Sequence, residues 1–236
     1  MMCGRYTLTR QERAVEALQA SLDARVAESE SWKPRFNVAP TQPAPVVTLH
    51  DGARKIEMMR WGLVPFWAAK PGAKPPLMIN ARVESLHAKE FFREALARRR
   101  CLVPADGFFE WKRDGSKQPE PMYFRPDSNK VFAFAGLWTK SKTETGELLS
   151  FTIITGPPNE LVAPIHDRMP IVLDPSTYAA WLDPTMDSDG ARSLLGVPAV
   201  GDWSMHPVST RVNKATNDDP ACIESERRES AQRSLF

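Results

Sequence analysis

Cysteine is scarce in this chain. Only Cys3, Cys101 and Cys222 occur in 236 residues, far apart and with no CxxC pair, which excludes a disulfide-stapled scaffold and a cysteine-rich zinc site and points to a reducing compartment. Net charge is nearly absent as well: 31 Lys and Arg against 29 Asp and Glu leave a formal +2. A polyanion is therefore not attracted by the surface as a whole, and any nucleic-acid contact must be a local patch. No apolar run is long enough to span a bilayer, and the start lacks the basic-then-apolar order of a secretory signal, so the expected location is the cytoplasm. Internal repeats and clean linkers are also missing. The length fits one domain with a sizeable core.

Proline, by contrast, is abundant: 21 residues scattered along the chain break long helices and favour short strands joined by structured loops. A strand over 3–7 leads into a helix whose apolar face reads Val15, Leu18, Leu22 and Val26, opened by Thr9 and Glu12 as a capping box. Strands follow over 46–49 and 56–64, then a proline-rich loop over 65–76 that carries Phe66 and Trp67. An extended stretch over 78–83 precedes a helix over 88–99, with Arg98, Arg99 and Arg100 in its last turn to complement the helix dipole. Strand pieces are expected over 101–104, 107–112, 123–124, 131–138 and 149–155. Ser176 caps a short helix over 176–182, 190–195 reads as another, and a last strand lies over 205–209. Cys101 reads as a buried strand thiol and Cys222 as a loop thiol. The order of elements predicts α+β: a single domain over 1–223 with a mostly antiparallel, barrel-like β core flanked by short helices, and a polar, disordered tail over 224–236.

The first residues carry the most distinctive chemistry. With its preceding methionine removed, Cys3 bears a thiol and a free α-amine on adjacent carbons, a pair that condenses with an aldehyde through a Schiff base and closes to a thiazolidine. Reference pKa values of about 8.5 for the thiol and about 7.7 to 8.0 for the amine leave useful fractions of both reactive forms near neutral pH. Trimming favours a small following residue, so the expectation is that translation starts at Met2 and that Met1 is a start-site artefact.

Four segments place one reactive or charged group among apolar neighbours: Cys3-Gly4-Arg5-Tyr6, Ile79-Asn80-Ala81-Arg82-Val83-Glu84, Gly107-Phe108-Phe109-Glu110-Trp111-Lys112 and Ile165-His166-Asp167-Arg168-Met169-Pro170. Each alone has a bland reading. Glu110 alternates with Phe109 and Trp111 and faces water unless its strand is central, in which case it is buried and suited to proton transfer. His166 reads as a turn histidine, and Asn80 as a loop cap.

Taken together, and with Arg35-Phe36-Asn37-Val38-Ala39-Pro40, Trp61-Gly62-Leu63 and His206-Pro207-Val208-Ser209, these segments resemble the SOS response-associated peptidase (SRAP) family, whose members shield abasic sites in single-stranded DNA. The resemblance runs from Cys3 to about Pro220. It implies Cys3 as nucleophile, with Asn80, Glu110 and His166 at the other active-site positions: His166 for proton transfer at the sugar ring oxygen, Asn80 for alignment, Glu110 for proton shuttling. Arg5, Arg82 and Arg168 are expected on phosphates, and Trp67 and Trp111 on bases or beside the gap, with core packing as the other reading for Trp67. Pro40 and Thr155 match positions lining the family's cleft. The expected partner is single-stranded DNA containing abasic sites, bound by a monomer without metal or cofactor, nucleoid-associated when on damaged DNA, with a weak lyase side activity. The other reading is a thiol (auto)peptidase built from Cys3, Asn80, Glu110 and His166.

Overall fold

The computed structural model describes residues 4–22, 24–65, 77–112, 115, 119–143, 146–196 and 202–226. They form β1 (Arg5–Leu8), α1 (Gln11–Ala17), β2 (Ser21–Leu22), α2 (Ala24–Ala27), β3 (Arg35–Val38), β4 (Pro43–His50), β5 (Ala53–Trp61), β6 (Asn80–Arg82), α3 (Glu90–Arg98), β7 (Arg100–Ala105), β8 (Gly107–Lys112), β9 (Glu120–Pro126), β10 (Phe132–Thr143), β11 (Gly146–Gly156), β12 (Met169–Pro170), α4 (Tyr178–Leu182), α5 (Ser188–Ser193) and β13 (Trp203–Pro207). This is the expected α+β architecture of strands and short helices. Among the described residues, no helix is long and apolar enough to cross a membrane.

In the larger sheet, β11 pairs antiparallel with β10, β10 with β7, β7 with β4 and β4 with β5. β5 then returns parallel to β11, with Ser150 opposite Arg60 and Phe151 opposite Trp61. Five strands thus close a ring, to which β2, β6 and β12 are attached. The smaller sheet runs β13-β9-β8-β1-β3 and is antiparallel throughout.

Period-two alternation divides the apolar residues of each strand between two cores. Along β10, Phe132 and Phe134 join Tyr6, Trp61, Phe108, Phe124 and Phe151, whereas Ala133, Ala135 and Leu137 join Leu18, Phe92, Leu96 and Trp181 beneath the helices. Trp61 is fully buried, edge-on to Tyr6 at 5.2 Å and stacked over Phe151 at 6.3 Å. Such ring pairs contribute about 0.5–1.5 kcal/mol beyond their burial.

Several local expectations need correction. The helix expected from Val15 to Val26 is broken, because α1 stops at Ala17 and Gln19 takes a left-handed φ of 48°. Thr9 does not cap it: the Asp106 carboxylate accepts both the Thr9 amide at 2.6 Å and its hydroxyl at 2.7 Å, leaving Arg10 at the cap position. Ser176 is likewise not the cap of α4; its amide donates to Asp174 in the preceding 3-10 turn. Arg100 has left the helix and starts β7. Its buried guanidinium donates to the carbonyls of Leu96 and Ala97 at the end of α3 and of Trp181 and Asp183 at the end of α4, so it caps two helices. Cys101 is buried as expected, and burial pushes its thiol far above the ordinary range. Cys222, expected as a loop thiol, ends the 3-10 turn Pro220–Cys222 and is buried. Beyond Ile223, Ser225 bridges to Val208 and the Glu226 amide donates to Pro207 at 2.9 Å. The remainder of the expected tail, 227–236, lies outside the described residues.

Gly107 packs against a ring. A Cβ there would lie 2.2 Å from the Tyr123 hydroxyl oxygen, which is itself held 2.9 Å from the Thr7 hydroxyl. Gly107→Ala should therefore lower unfolding free energy in urea by about 1–3 kcal/mol, whereas Gly196→Ala, which meets nothing within 4 Å, should change it little.

Candidate active site

Asn80 is positioned by a bracket built from the Trp61-Gly62-Leu63 segment. The Trp61 indole N–H donates to the Ile79 carbonyl at 2.9 Å, and the Leu63 amide donates to Met78 at 3.0 Å. Ile153 of β11 donates to the same Ile79 oxygen at 3.1 Å. Gly62 sits at φ 119°, where a Cβ would lie 2.6 Å from Leu77 Cδ1; glycine is what allows 77–79 to approach this closely. β6 follows, with Asn80 and Arg82 on the face opposite buried Ala81.

Glu110 owes its environment to strand order. β8 lies between β1 and β9, with Arg5 opposite Phe109. Phe109 and Trp111 face Tyr123, Val208 and Val212, so Phe108 and Glu110 face the aromatic core around Tyr6. Both faces of the strand are covered. Glu110 is 0 % exposed and does not face water.

His166 stands before β12, with its amide donating to Val162 at 3.0 Å and a side chain only 9 % exposed. The Arg168 amide donates to His166 Nδ1 at 3.1 Å, which places the proton of the neutral ring on Nε2. Asp167 Oδ1 lies 3.0 Å from the same Nδ1. One ring nitrogen thus has a donor beside it for the neutral form and an acceptor beside it for the protonated form. The Arg168 guanidinium grips Glu84 at 2.6 and 2.9 Å, tying this segment to the turn after β6. Burial favours protonation of Glu84, but its own backbone amide and the hydrogen bond and charge of Arg168 outweigh it and hold the carboxyl below its ordinary value. Thr155 lies in register with Arg82 on one side and Pro170 on the other, and its buried Oγ1 has no hydrogen-bond partner among the described residues.

Arg5 leans on the loop over 210–219. Its Nη1 donates to the Gly4 carbonyl at 2.9 Å and its Nη2 to Asn213 at 3.3 Å, while Nε is buried without a partner among the described residues. Burial pulls its pKa down. A desolvated guanidinium of this kind favours an incoming anion. Trp111 donates its indole N–H to the Asn213 side chain at 2.7 Å. Asn37 fastens the loop by donating to Val212 at 3.0 Å and Asn217 at 2.8 Å, and the Asp218 carboxylate accepts from the amides of Phe36 and Asn37 and from Arg35. The Arg35-Phe36-Asn37 segment is a clasp for this loop.

A cleft of about 630 Å³ results, where Arg5, Pro40 and Asn80 meet Leu77, Met78 and Ala215. Arg5 and Trp111 share Asn213, and Arg82, Arg168 and His166 gather around Glu84 and β11. Cys3 and Trp67 lie outside the described residues; Gly4, to which Cys3 is bonded, is buried. Sequence reasoning missed Leu77, Met78, Asn213 and Ala215. The exposed apolar Leu77 beside the proline-rich loop was the one available signal; Asn213 reaches Arg5 across 208 residues of chain.

The family model described as SOS response associated peptidase (SRAP) matches residues 2–215. The chain is 42% identical over 230 residues to the Bacillus subtilis (strain 168) protein named abasic site processing protein YoqW, covering 95% of this chain and 100% of that one. It is 30% identical over 230 residues to the Escherichia coli (strain K12) protein named abasic site processing protein YedK, covering 94% and 99%. A crystal structure of a protein from Bacteroides thetaiotaomicron shares the fold with a TM-score of 0.84 at 24% identity, covering 95% of this chain and 100% of that one.

The His166 geometry makes a spectroscopic prediction. At a pH where the ring is neutral, 15N NMR of labelled protein should give a pyridine-type resonance for Nδ1 and a pyrrole-type resonance for Nε2. The reverse assignment would contradict the Arg168 hydrogen bond.

Proposed function

Because the chain belongs to the SOS response associated peptidase (SRAP) family, we propose that it processes abasic sites in DNA by capturing the lesion covalently through Cys3. Relatedness at 42% identity along the whole of a protein named for abasic site processing carries this reading. The cleft supports it, since Arg5, desolvated and short of one partner among the described residues, lies with Asn80 at its wall.

An abasic deoxyribose exists mainly as a closed hemiacetal, so ring opening comes first. His166 moves a proton at the ring oxygen and the C1′ aldehyde is released. The Cys3 amine adds to C1′, and the carbinolamine loses water to give an imine, with Glu110 relaying the protons. The Cys3 sulfur then adds to the imine carbon while the nitrogen takes up a proton, closing a thiazolidine. Asn80 keeps amine and sugar aligned. Holding the reactants together is worth on the order of 7 kcal/mol or more. The imine also permits β-elimination of the 3′ phosphate, a minor route because the sulfur intercepts it.

Single strands are the substrate in this reading. Arg5, Arg82 and Arg168 meet phosphates, Pro40 and Thr155 shape the cleft, and Trp67 and Trp111 stack on or wedge beside bases at roughly 1–3 kcal/mol each without regard to sequence. With so few phosphate contacts, affinity should fall only gently with salt.

Incubation with abasic single-stranded oligonucleotide should yield a product that survives a denaturing gel and maps to the N-terminal peptide by mass spectrometry. Cys3→Ser should abolish it. An adduct on another residue, or capture undiminished in Cys3→Ser, would refute covalent capture by Cys3. Conversion of a methionine-bearing precursor by the purified protein, lost in Glu110→Ala, would favour the peptidase reading instead. Glu84→Gln releases Arg168 from its ion pair, and binding of abasic strand should tighten by up to about fivefold, the equivalent of the roughly 1 kcal/mol that an exposed pair contributes.

A further inference from the structure

We propose that the far end of β1, away from the cleft, holds a second anion site built for a phosphate ester. A cavity of about 470 Å³ opens there between Thr9 and Arg10, Tyr123 and Arg125, Asn129 and His206. Arg5 and Arg10 are five positions apart, so their backbones are at most about 17 Å apart along the strand direction. The proposal does not depend on abasic-site chemistry.

Two guanidiniums converge in this cavity. Arg10 donates Nη1 to the Asn129 backbone oxygen and Arg125 donates Nη1 to the Asn129 side-chain oxygen. Asn129 presents both oxygens from a turn with a left-handed φ of 52°. Among the described residues, the arginines in ion pairs are Arg35, Arg99, Arg168 and Arg211. Arg10 and Arg125 have no carboxylate partner there. Two cations held on one asparagine repel each other, by about 1 kcal/mol at ~4 Å in water and by more where they are half-buried.

The acid in the wall offsets only one of the two charges. Asp106 is buried and committed elsewhere, accepting from the Thr7 hydroxyl at 2.6 Å, the Thr9 amide and hydroxyl at 2.6 and 2.7 Å, and the Arg10 amide at 3.2 Å. Tyr123 adds no negative charge, since burial and the nearby Asp106 keep its hydroxyl protonated. Two guanidiniums against one carboxylate leave the cavity a net positive charge, presented on two planar forks of N–H donors.

That arrangement selects its ligand. A single carboxylate offers two oxygens, whereas a phosphate offers three, enough to meet both guanidiniums at once. The volume exceeds that of a bare phosphate and falls in the range of small-molecule sites, which span roughly 300–1,000 Å³. The ligand is therefore a phosphomonoester carrying a sugar-sized group, either the terminal phosphate of a nucleic-acid strand or a free sugar phosphate.

Titration of the intact protein with inorganic phosphate in chloride buffer, followed by 1H–15N NMR, should shift the amides of Thr9, Arg10 and Asn129. Arg10→Gln and Arg125→Gln keep an amide donor for Asn129 and should each weaken phosphate binding at least tenfold, whereas Arg93→Gln on the exposed face of α3 removes the same charge without effect. Absence of shifts at these amides in the unmutated protein, or equal binding by all three variants, would overturn the proposal. Competition separates the two sources: displacement of phosphate by a 5′-phosphorylated single-stranded oligonucleotide assigns the site to a strand end, and displacement by ribose 5-phosphate alone assigns it to a free ester.

Discussion

The parallel contact between β5 and β11 is the constraint on which the rest of the molecule depends. Four antiparallel pairings would leave an open sheet; the return of β5 to β11 at Arg60 and Trp61 closes it. Closure buries Trp61 against Tyr6 and Phe151, and from that fixed position its indole N–H and the next two residues hold 77–79 in place. Asn80 follows as a rigid consequence of core packing. A polar residue on the rim of a barrel thereby acquires the positional precision of a core side chain, which is what its proposed role in aligning a sugar requires.

Charge is distributed by the same economy. The chain is almost neutral, so what matters is which arginines remain uncommitted. Arg100 is spent on helix carbonyls and Arg35 on Asp218. Arg168 is paired with the exposed Glu84, which under the proposed function gives way to a phosphate at small cost. Among the described residues Arg5 is desolvated without a carboxylate, and Arg10 and Arg125 meet on Asn129. Local fields of this kind give anion contacts without the broad attraction that a basic surface would exert on all nucleic acid.

Most of the strands were legible because alternation and β-branched content are local properties, and so was the fate of Glu110 once its strand is central. The first helix was misread for an equally physical reason. Thr9 and Glu12 have the spacing of a capping box, but Asp106, 97 residues away, offers Thr9 a buried carboxylate that a local pattern does not reveal. Arg100 was misread in the same way, since the second helix that it caps begins only at Tyr178. Ala215 reaches the cleft, and Asn213 reaches Arg5, through the clasp made by Asn37 and Asp218, a partnership between distant polar residues with no periodicity to announce it.

The two neighbours of His166 Nδ1 bear on how one imidazole can both give and take a proton. With the Arg168 amide as donor, the neutral ring keeps its proton on Nε2, and it offers a hydrogen bond there but no lone pair. A base at Nε2 requires the other tautomer, with Nδ1 turned from acceptor to donor, and Asp167 supplies the acceptor for that proton. The imidazolium, with both nitrogens protonated, links the two forms: loss of the Nδ1 proton returns the ring to Arg168, and loss of the Nε2 proton leaves it on Asp167. Asp167 is 87 % exposed, so its stabilisation of that second form is modest and the forms stay within easy exchange. A more buried carboxylate would fix the ring in one tautomer, whereas this exposed one leaves both open to it, as the proton transfer proposed for His166 requires.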